Sequence, residues 1–115
     1  GNEMSISEMN VMTDAVEGNG IKYWAEIKDV IRNPDGYVAS FKVRDGGYEN
    51  PRVKKKTWTE INSVSLYKAV EKILKGEFPI RRDIAAQFIG KEWDTDSEGI
   101  DCVIQCCCFK ELTYG

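Results

Sequence analysis

The segment from Gly20 to Asp45 alternates apolar and polar residues with a period of two in both of its halves. Side chains of a β-strand point to opposite faces in turn, so this alternation predicts two strands with one buried and one solvated face. The sequence Asn33-Pro34-Asp35-Gly36 between the halves is typical of a type I turn followed by a glycine bulge. We therefore predict a β-hairpin with arms at 21–32 and 37–45. Its predicted pairs are Tyr37 with Asn33, Ile31 with Ala39 and Ile27 with Val43.

Helical periodicity and capping signals predict helices on both sides of this hairpin. The segment from Met4 to Glu17 begins with Ser5 and Glu8 in the spacing of a capping box. A second helix is expected after a cap at Thr57 or Asn62. Its core-facing stripe consists of Leu66, Ala69, Val70, Ile73 and Leu74. A shorter helix over 80–89 is expected to bury Ile84, Ala85, Phe88 and Ile89.

The last apolar segment fits either a strand or a helix. As a strand it would place Asp101 and Gln105 on the same face as Val103, which breaks the alternation. As a helix it has an unbroken apolar stripe, with Asp101 and Gln105 together on the solvated side. The helix is therefore favoured, with Ser97 or Asp96 as its cap. The stripe consists of Ile100, Val103, Ile104, Cys107 and Cys108.

Together these elements predict one α+β domain over residues 1–115, in which about four helices cover a small antiparallel sheet. Val53 to Trp58 is a candidate third strand, and its lysines suit a sheet edge, where charge discourages pairing between chains. Residues 1–4 are interpreted as a tag scar or a flexible terminus. No apolar run has the length of a transmembrane helix and no signal peptide is recognised, so we expect a cytoplasmic protein without a membrane partner.

The amino-acid composition narrows the classes of function. With 16 basic and 19 acidic residues the formal net charge is −3, which gives no overall attraction to nucleic acids or anionic membranes. The chain contains no histidine, so histidine-dependent catalytic triads are excluded. No cofactor is expected, because the glycine pairs at 18/20 and 46/47 lack the lysine and the strand-to-helix context of a phosphate loop.

The four cysteines, Cys102, Cys106, Cys107 and Cys108, form one cluster near the end of the chain. Disulfides that stabilise a fold close loops between distant segments, so this cluster indicates reduced thiols. Successive side chains of a helix point about 100° apart, so the four thiols do not converge on one metal ion. We interpret them as small apolar core residues and expect no metal site.

Two aromatic residues and two basic segments are the candidate interaction surface. The basic residues are Arg52, Lys54, Lys55, Lys56, Arg81 and Arg82. If the edge strand lies near the start of the 80–89 helix, they form one patch around Trp58 that suits phosphates and stacked bases. The competing interpretation is a solvated edge with Trp58 packed inward. Trp24, on the mostly charged face of the first strand, is either a contact residue or packed under the loop or tail, whereas Tyr23 is expected in the core.

Two stretches of the chain resemble a known family. The first is Gly20-Ile21-Lys22-Tyr23-Trp24-Ala25-Glu26, after an amphipathic N-terminal segment, and the second runs from Asp101 to Gly115. The pair resembles small uncharacterised proteins that phages, prophages and other bacterial mobile elements encode. Compared with that family, Lys110 replaces a glycine and the cysteines replace small apolar residues. The resemblance implies a setting in a mobile genetic element and core roles for the cysteines. Because the family is uncharacterised, it does not indicate any particular activity.

We expect a non-enzymatic accessory protein that binds a protein partner or associates with itself, because the sequence contains no catalytic constellation. Trp24, Trp58 and the edge strand are the expected contacts. Nucleic-acid binding through the basic patch is the first alternative. A small enzyme that uses carboxylates with tyrosine or lysine is the second, and it requires a concave pocket with convergent polar groups.

Overall fold

The computed structural model describes residues 4–49, 52 and 57–115. These residues form four α-helices and a three-stranded antiparallel sheet, which confirms the expected α+β fold. A 3₁₀ turn, Ala86–Phe88, continues the third helix. In chain order the elements are α1 (Ile6–Glu17), β1 (Ala25–Arg32), β2 (Val38–Asp45), β3 (Thr59–Ile61), α2 (Ser63–Leu74), α3 (Arg82–Ala85) and α4 (Ser97–Cys108).

The sheet has the strand order β1-β2-β3, so β2 is the central strand. The hairpin prediction is confirmed at both of its ends. Ile27 pairs with Val43 at one end. At the other, the Asn33 N–H donates to the Tyr37 carbonyl across the turn. Gly36 has a φ of 90°, the left-handed conformation that the predicted glycine bulge requires.

Between these ends two irregularities shift the register, so the predicted pairing of Ile31 with Ala39 is wrong. Ile31 pairs with Ser40 instead, and the chain passes through a φ of 53° at Asp29. A β-bulge sets two residues of one strand against one of the other and bends the strand locally. Ile31, expected on the buried face, is exposed.

The first arm of the hairpin begins at Ala25, four residues later than expected. The N–H groups of Trp24 and Ala25 both donate to the Ile21 carbonyl, so the chain turns here instead of extending. In a strand, residues three apart point to opposite faces, whereas a turn of this kind brings them to the same side. Ile21 and Trp24 are therefore both fully buried.

A third strand is present, but it lies at Thr59–Ile61, where it pairs antiparallel with β2. The strand predicted at Val53 to Trp58 is not tested over 53–56, which lie outside the described residues, and Trp58 precedes β3. The side chain of Asn62 accepts a hydrogen bond from the Ser65 N–H and caps α2. Of the two caps considered for this helix, Asn62 is confirmed and Thr57 is wrong.

The helices close over the sheet and bury one shared core. The capping box of Ser5 with Glu8 is confirmed, and Asp96 caps α4. Leu74 and Ile89, expected in the core, are exposed. The helix predicted over 80–89 consists only of α3 and the 3₁₀ turn, which present fewer inward-facing positions than a full helix. Among the described residues, no helix has both the length and the apolar composition that crossing a bilayer requires.

Candidate functional site

Two polar side chains of α4 lie inside the protein, so the prediction that Asp101 and Gln105 occupy its solvated side is wrong. Gln105 is fully buried and Asp101 is 9% exposed. The Oδ1 atom of Asp101 accepts hydrogen bonds from the Trp24 indole (2.7 Å) and the Gln105 amide (3.0 Å). Its Oδ2 atom accepts one from the Tyr23 hydroxyl (2.5 Å). The segment before the hairpin and the segment after α4 thus cover the face that periodicity alone assigns to solvent.

Trp24 is a core residue, which rules out its predicted role as an exposed contact. Its ring stacks on Tyr114 with centroids 5.8 Å apart and packs against Phe109 at 5.3 Å. The alternative interpretation, packing under the tail, is the arrangement that the structure has. Tyr23, which was expected in the core, is 36% exposed, so that prediction is wrong.

Gln105 holds the segment 109–115 over Trp24 and Asp101. Its Oε1 atom accepts hydrogen bonds from the N–H groups of Thr113 and Tyr114, and its Nε2–H donates to the Tyr114 carbonyl. The Tyr114 hydroxyl donates to the buried Asp45 carboxylate (2.5 Å). Hydrogen bonds from one buried amide and one hydroxyl therefore tie this segment to α4 and to the end of β2.

A cavity of about 580 Å³ lies beside Asp101, between α3, α4 and the segment 109–115. We call it the Asp101 cavity. Arg81 lines it and shares its guanidinium between Asp83 (3.0 Å) and Glu98 (3.2 Å). Among the described residues, no lysine or arginine is ion-paired with Asp101. The charged side chains that line the cavity are Arg81, Glu98 and Asp101, so their formal charges sum to one negative charge.

The environment raises the pKa of two titratable groups of the cavity wall further above neutral pH. Burial, followed by the hydrogen bond to Asp101, raises the pKa of Tyr23 well above its ordinary value. Burial, with a further contribution from Asp101, raises the pKa of the Cys102 thiol to about 11. Because a thiol reacts as its thiolate, Cys102 is a poor nucleophile in this setting.

A second concave surface, which we call the α2 groove, has a volume of about 400 Å³ and lies between α2 and the segment 88–93. Trp93 packs with Tyr67 on one side and Phe88 on the other, with both centroid distances 5.7 Å. Leu74 lines the groove and is 49% exposed, and Ile89 beside it is 65% exposed. The groove is therefore largely apolar and open to solvent.

The predicted basic patch is only partly within the described residues. Lys54, Lys55 and Lys56 lie outside them, so the continuity of the patch stays a prediction. Arg52 and Arg82 are exposed, while the charge of Arg81 is offset by its two ion pairs. Trp58 is half-buried, with the Lys28 ammonium and the Arg44 guanidinium each 4.3 Å from its ring centroid. The Trp58 ring therefore already contacts two cationic groups of the same chain.

The cysteines are free thiols set against the core. Cys102 and Cys106 are buried, whereas Cys107 and Cys108 are half-buried. The Cys106 thiol points at the Ala69 carbonyl and the Cys107 thiol at the Ser65 carbonyl, both at 3.6 Å. Within the described part of the chain, no group of three potential ligands has the geometry to hold a metal ion.

Apart from Arg81, sequence reasoning did not single out the residues that form the two concave surfaces as functional. Tyr67 lies on the solvent-facing side of α2. An aromatic residue on a face with several lysines was the available signal of a contact surface there. For the cavity, the signal was a carboxylate and an amide four residues apart inside an otherwise apolar helix. Comparisons of the chain with family models, curated proteins and solved structures found no match.

Proposed function

We propose that the chain is a non-enzymatic binding protein that associates with a second copy of itself through the α2 groove. The supporting observation is the exposure of three large apolar side chains around one concavity. Tyr67 is 47% exposed, and Leu74 and Ile89 are more exposed still. A contiguous apolar patch on a folded domain is typical of a protein interaction site.

A second copy suits this groove because a highly exposed apolar side chain lies next to the concavity. Ile89 is 65% exposed and directly precedes Gly90, which lines the groove. In a two-fold symmetric dimer every contact occurs twice, so we expect Ile89 of each chain to contact the groove of the other. The rim carries Glu71 and Lys75, which form an ion pair at 2.6 Å within one chain. If the two-fold axis passes between these two residues, Glu71 of one copy faces Lys75 of the other, so the charges at the rim are complementary.

The association state of the full chain tests this proposal. We expect multi-angle light scattering and sedimentation velocity to report twice the chain mass at high micromolar concentration, with dissociation on dilution. Leu74→Arg places a charge in the apolar contact and should weaken the dimer roughly tenfold or more. Ile89→Arg should act in the same direction, because the same contact loses its projecting side chain.

Leu112→Arg is the matched control for Leu74→Arg. Leu112 is 38% exposed and lines the Asp101 cavity, outside the groove, so this variant should dimerise like the parent chain. A monomer at every concentration would overturn the proposal and leave the groove for a different protein. Equal weakening by Leu74→Arg and Leu112→Arg would also overturn it, because the interface would then not be at the groove.

The cellular setting is a separate part of the proposal. The two stretches that resemble proteins of phages, prophages and other mobile elements support an accessory role in such an element, in the cytoplasm of a bacterium. A binding protein without chemistry of its own fits that role. Expression of the chain together with neighbouring genes of its source, followed by purification of a stable complex, tests the setting.

A further inference from the structure

We infer that the Asp101 cavity is a binding site for a small organic cation with a primary ammonium group on a short apolar body. The inference is independent of the α2 groove, which lies on other residues. It combines a concave volume, a buried carboxylate without a cationic partner among the described residues, and apolar and aromatic walls.

Asp101 is part of the lining of this cavity, and its hydrogen bonds indicate which oxygen is available to a ligand. Trp24 and Gln105, which donate to Oδ1, are not part of the cavity lining. Tyr23, which donates to Oδ2, does line it. An ionised carboxylate accepts about four hydrogen bonds, and the described residues supply three. Two of the donors are on Oδ1, so the remaining acceptor position is on Oδ2, and two residues that lie against Oδ2, Tyr23 and Gly115, both line the cavity.

The charge at this position favours a cation over a neutral or anionic ligand. All three donors to Asp101 are uncharged, so its negative charge is buried without a neutralising partner among the described residues. Burying an unpaired charge is costly, and a bound ammonium offsets that cost. Arg81, the lining residue with a positive charge, is already shared by Asp83 and Glu98 and attracts a further anion weakly.

The walls define the rest of the ligand. Ile80, Ile84 and Leu112 provide apolar contacts. Two aromatic rings, those of Tyr23 and Tyr114, also line the cavity, with their centroids 6.5 Å apart. Aromatic rings attract ammonium groups through their electron-rich faces. A volume of about 580 Å³ is within the usual range of small-molecule sites.

The Trp24 indole gives a direct readout because its N–H donates to Asp101. The experiment is a titration of the ¹⁵N-labelled chain with n-hexylamine, which is protonated at neutral pH, followed by the indole cross-peaks of the three tryptophans. We expect a saturable shift of the Trp24 peak at low salt. The neutral n-hexanol and the anionic hexanoate, which have the same apolar body, should leave that peak unchanged.

Two variants locate the site. Asp101→Asn keeps an oxygen acceptor for Trp24 and Gln105 but removes the charge, and it should abolish the hexylamine-dependent shift. Leu112→Arg brings a guanidinium to the cavity wall and should weaken hexylamine at least about tenfold through charge repulsion. Val64→Arg adds the same charge at an exposed residue that lines neither concave surface, and it should bind hexylamine like the parent chain. If Asp101→Asn fails to fold, the Leu112→Arg and Val64→Arg pair decides.

Four outcomes would overturn the inference. An equal shift with n-hexanol would mean an apolar cavity that does not select charge. A stronger shift with hexanoate would assign the site to Arg81 and an anion. A shift of the Trp58 peak without one at Trp24 would place the amine on the exposed sheet face, and no saturable shift at all would leave the cavity without this ligand.

Discussion

The side chain of Gln105 makes four hydrogen bonds although it does not reach solvent. Leucine has a similar size and cannot form any of them. Gln105→Leu should therefore lower the free energy of unfolding by about 2–4 kcal/mol, because the buried groups around it lose their partners. Urea denaturation followed by Trp fluorescence measures this loss, and Trp24, which lies against Tyr114, reports whether the segment 109–115 detaches.

Gln87→Leu is the matched control at the other glutamine of the chain. Gln87 accepts a hydrogen bond from the Asp96 N–H at an exposed position, so its replacement should cost about 1 kcal/mol or less. If both variants lose the same stability, the network at Gln105 has no special role. If Gln105→Leu is as stable as the parent chain, the segment 109–115 is held by its aromatic contacts alone.

At the scale of single elements, the features that could be predicted are those that depend on neighbours in sequence. The capping box of Ser5 with Glu8 and the glycine turn of the hairpin need only residues within four positions, so the sequence specifies them. The bulged register near Ile31 and the late start of β1 at Ala25 depend on contacts with distant segments. Hydrophobic periodicity does not reflect those contacts, so it assigned Trp24 to the charged face of the first strand although this residue is buried.

Two helices have caps of different chemistry: the Asp96 cap of α4 can gain a proton and the Asn62 cap of α2 cannot. Comparing them separates the contribution of the cap's charge to stability from that of its hydrogen bond. The N–H of Gly99, and then the side chain of Gln87, lowers the pKa of Asp96 below its ordinary 3.8. A lowered carboxyl pKa means stability that is present above the unfolded pKa and is lost as pH falls through the folded one. Asp96→Ala should cost about 1 kcal/mol at pH 7 and less below about pH 3.8.

Asn62→Ala is the control, because the Asn62 cap of α2 has no proton to gain over this range. Its cost should also be about 1 kcal/mol and should be the same at both pH values. Urea denaturation of the three chains at neutral and acidic pH gives both differences. A cost of Asp96→Ala that does not change with pH would show that its charge contributes nothing to the cap.

At the scale of the whole molecule, the fold class was predictable and the sites were not. Four amphipathic segments and one hairpin admit few layer arrangements, so an α+β domain follows from them. A cavity or groove is the space left between elements, and its shape depends on how three or more of them pack. Leu74 and Ile89 belong to core-like stripes in sequence, yet they remain exposed because no element of the described chain covers them.

The whole molecule should lose stability at alkaline pH, because the fold favours the protonated forms of two cysteine thiols and one tyrosine hydroxyl. Burial raises the pKa of both Cys102 and Cys106 from 9.0 to about 11, and burial with the Asp45 hydrogen bond raises that of Tyr114 from 10.0 to about 12. Between the unfolded and folded pKa values the native chain binds more protons than the unfolded chain. Stability is therefore complete below about pH 9 and decreases as pH rises towards 11.

Urea midpoints measured under reducing conditions between pH 8 and about pH 10.5 test this expectation. Cys106→Ala removes one of the titrating groups and should flatten the decrease, although it also lowers stability at every pH by leaving space in the core. Lys110→Ala, at an exposed residue, should leave the slope unchanged. A midpoint that stays constant up to about pH 10.5 would contradict the expected loss of stability. An equal slope in all three chains would mean that Cys106 titrates alike in the folded and unfolded states.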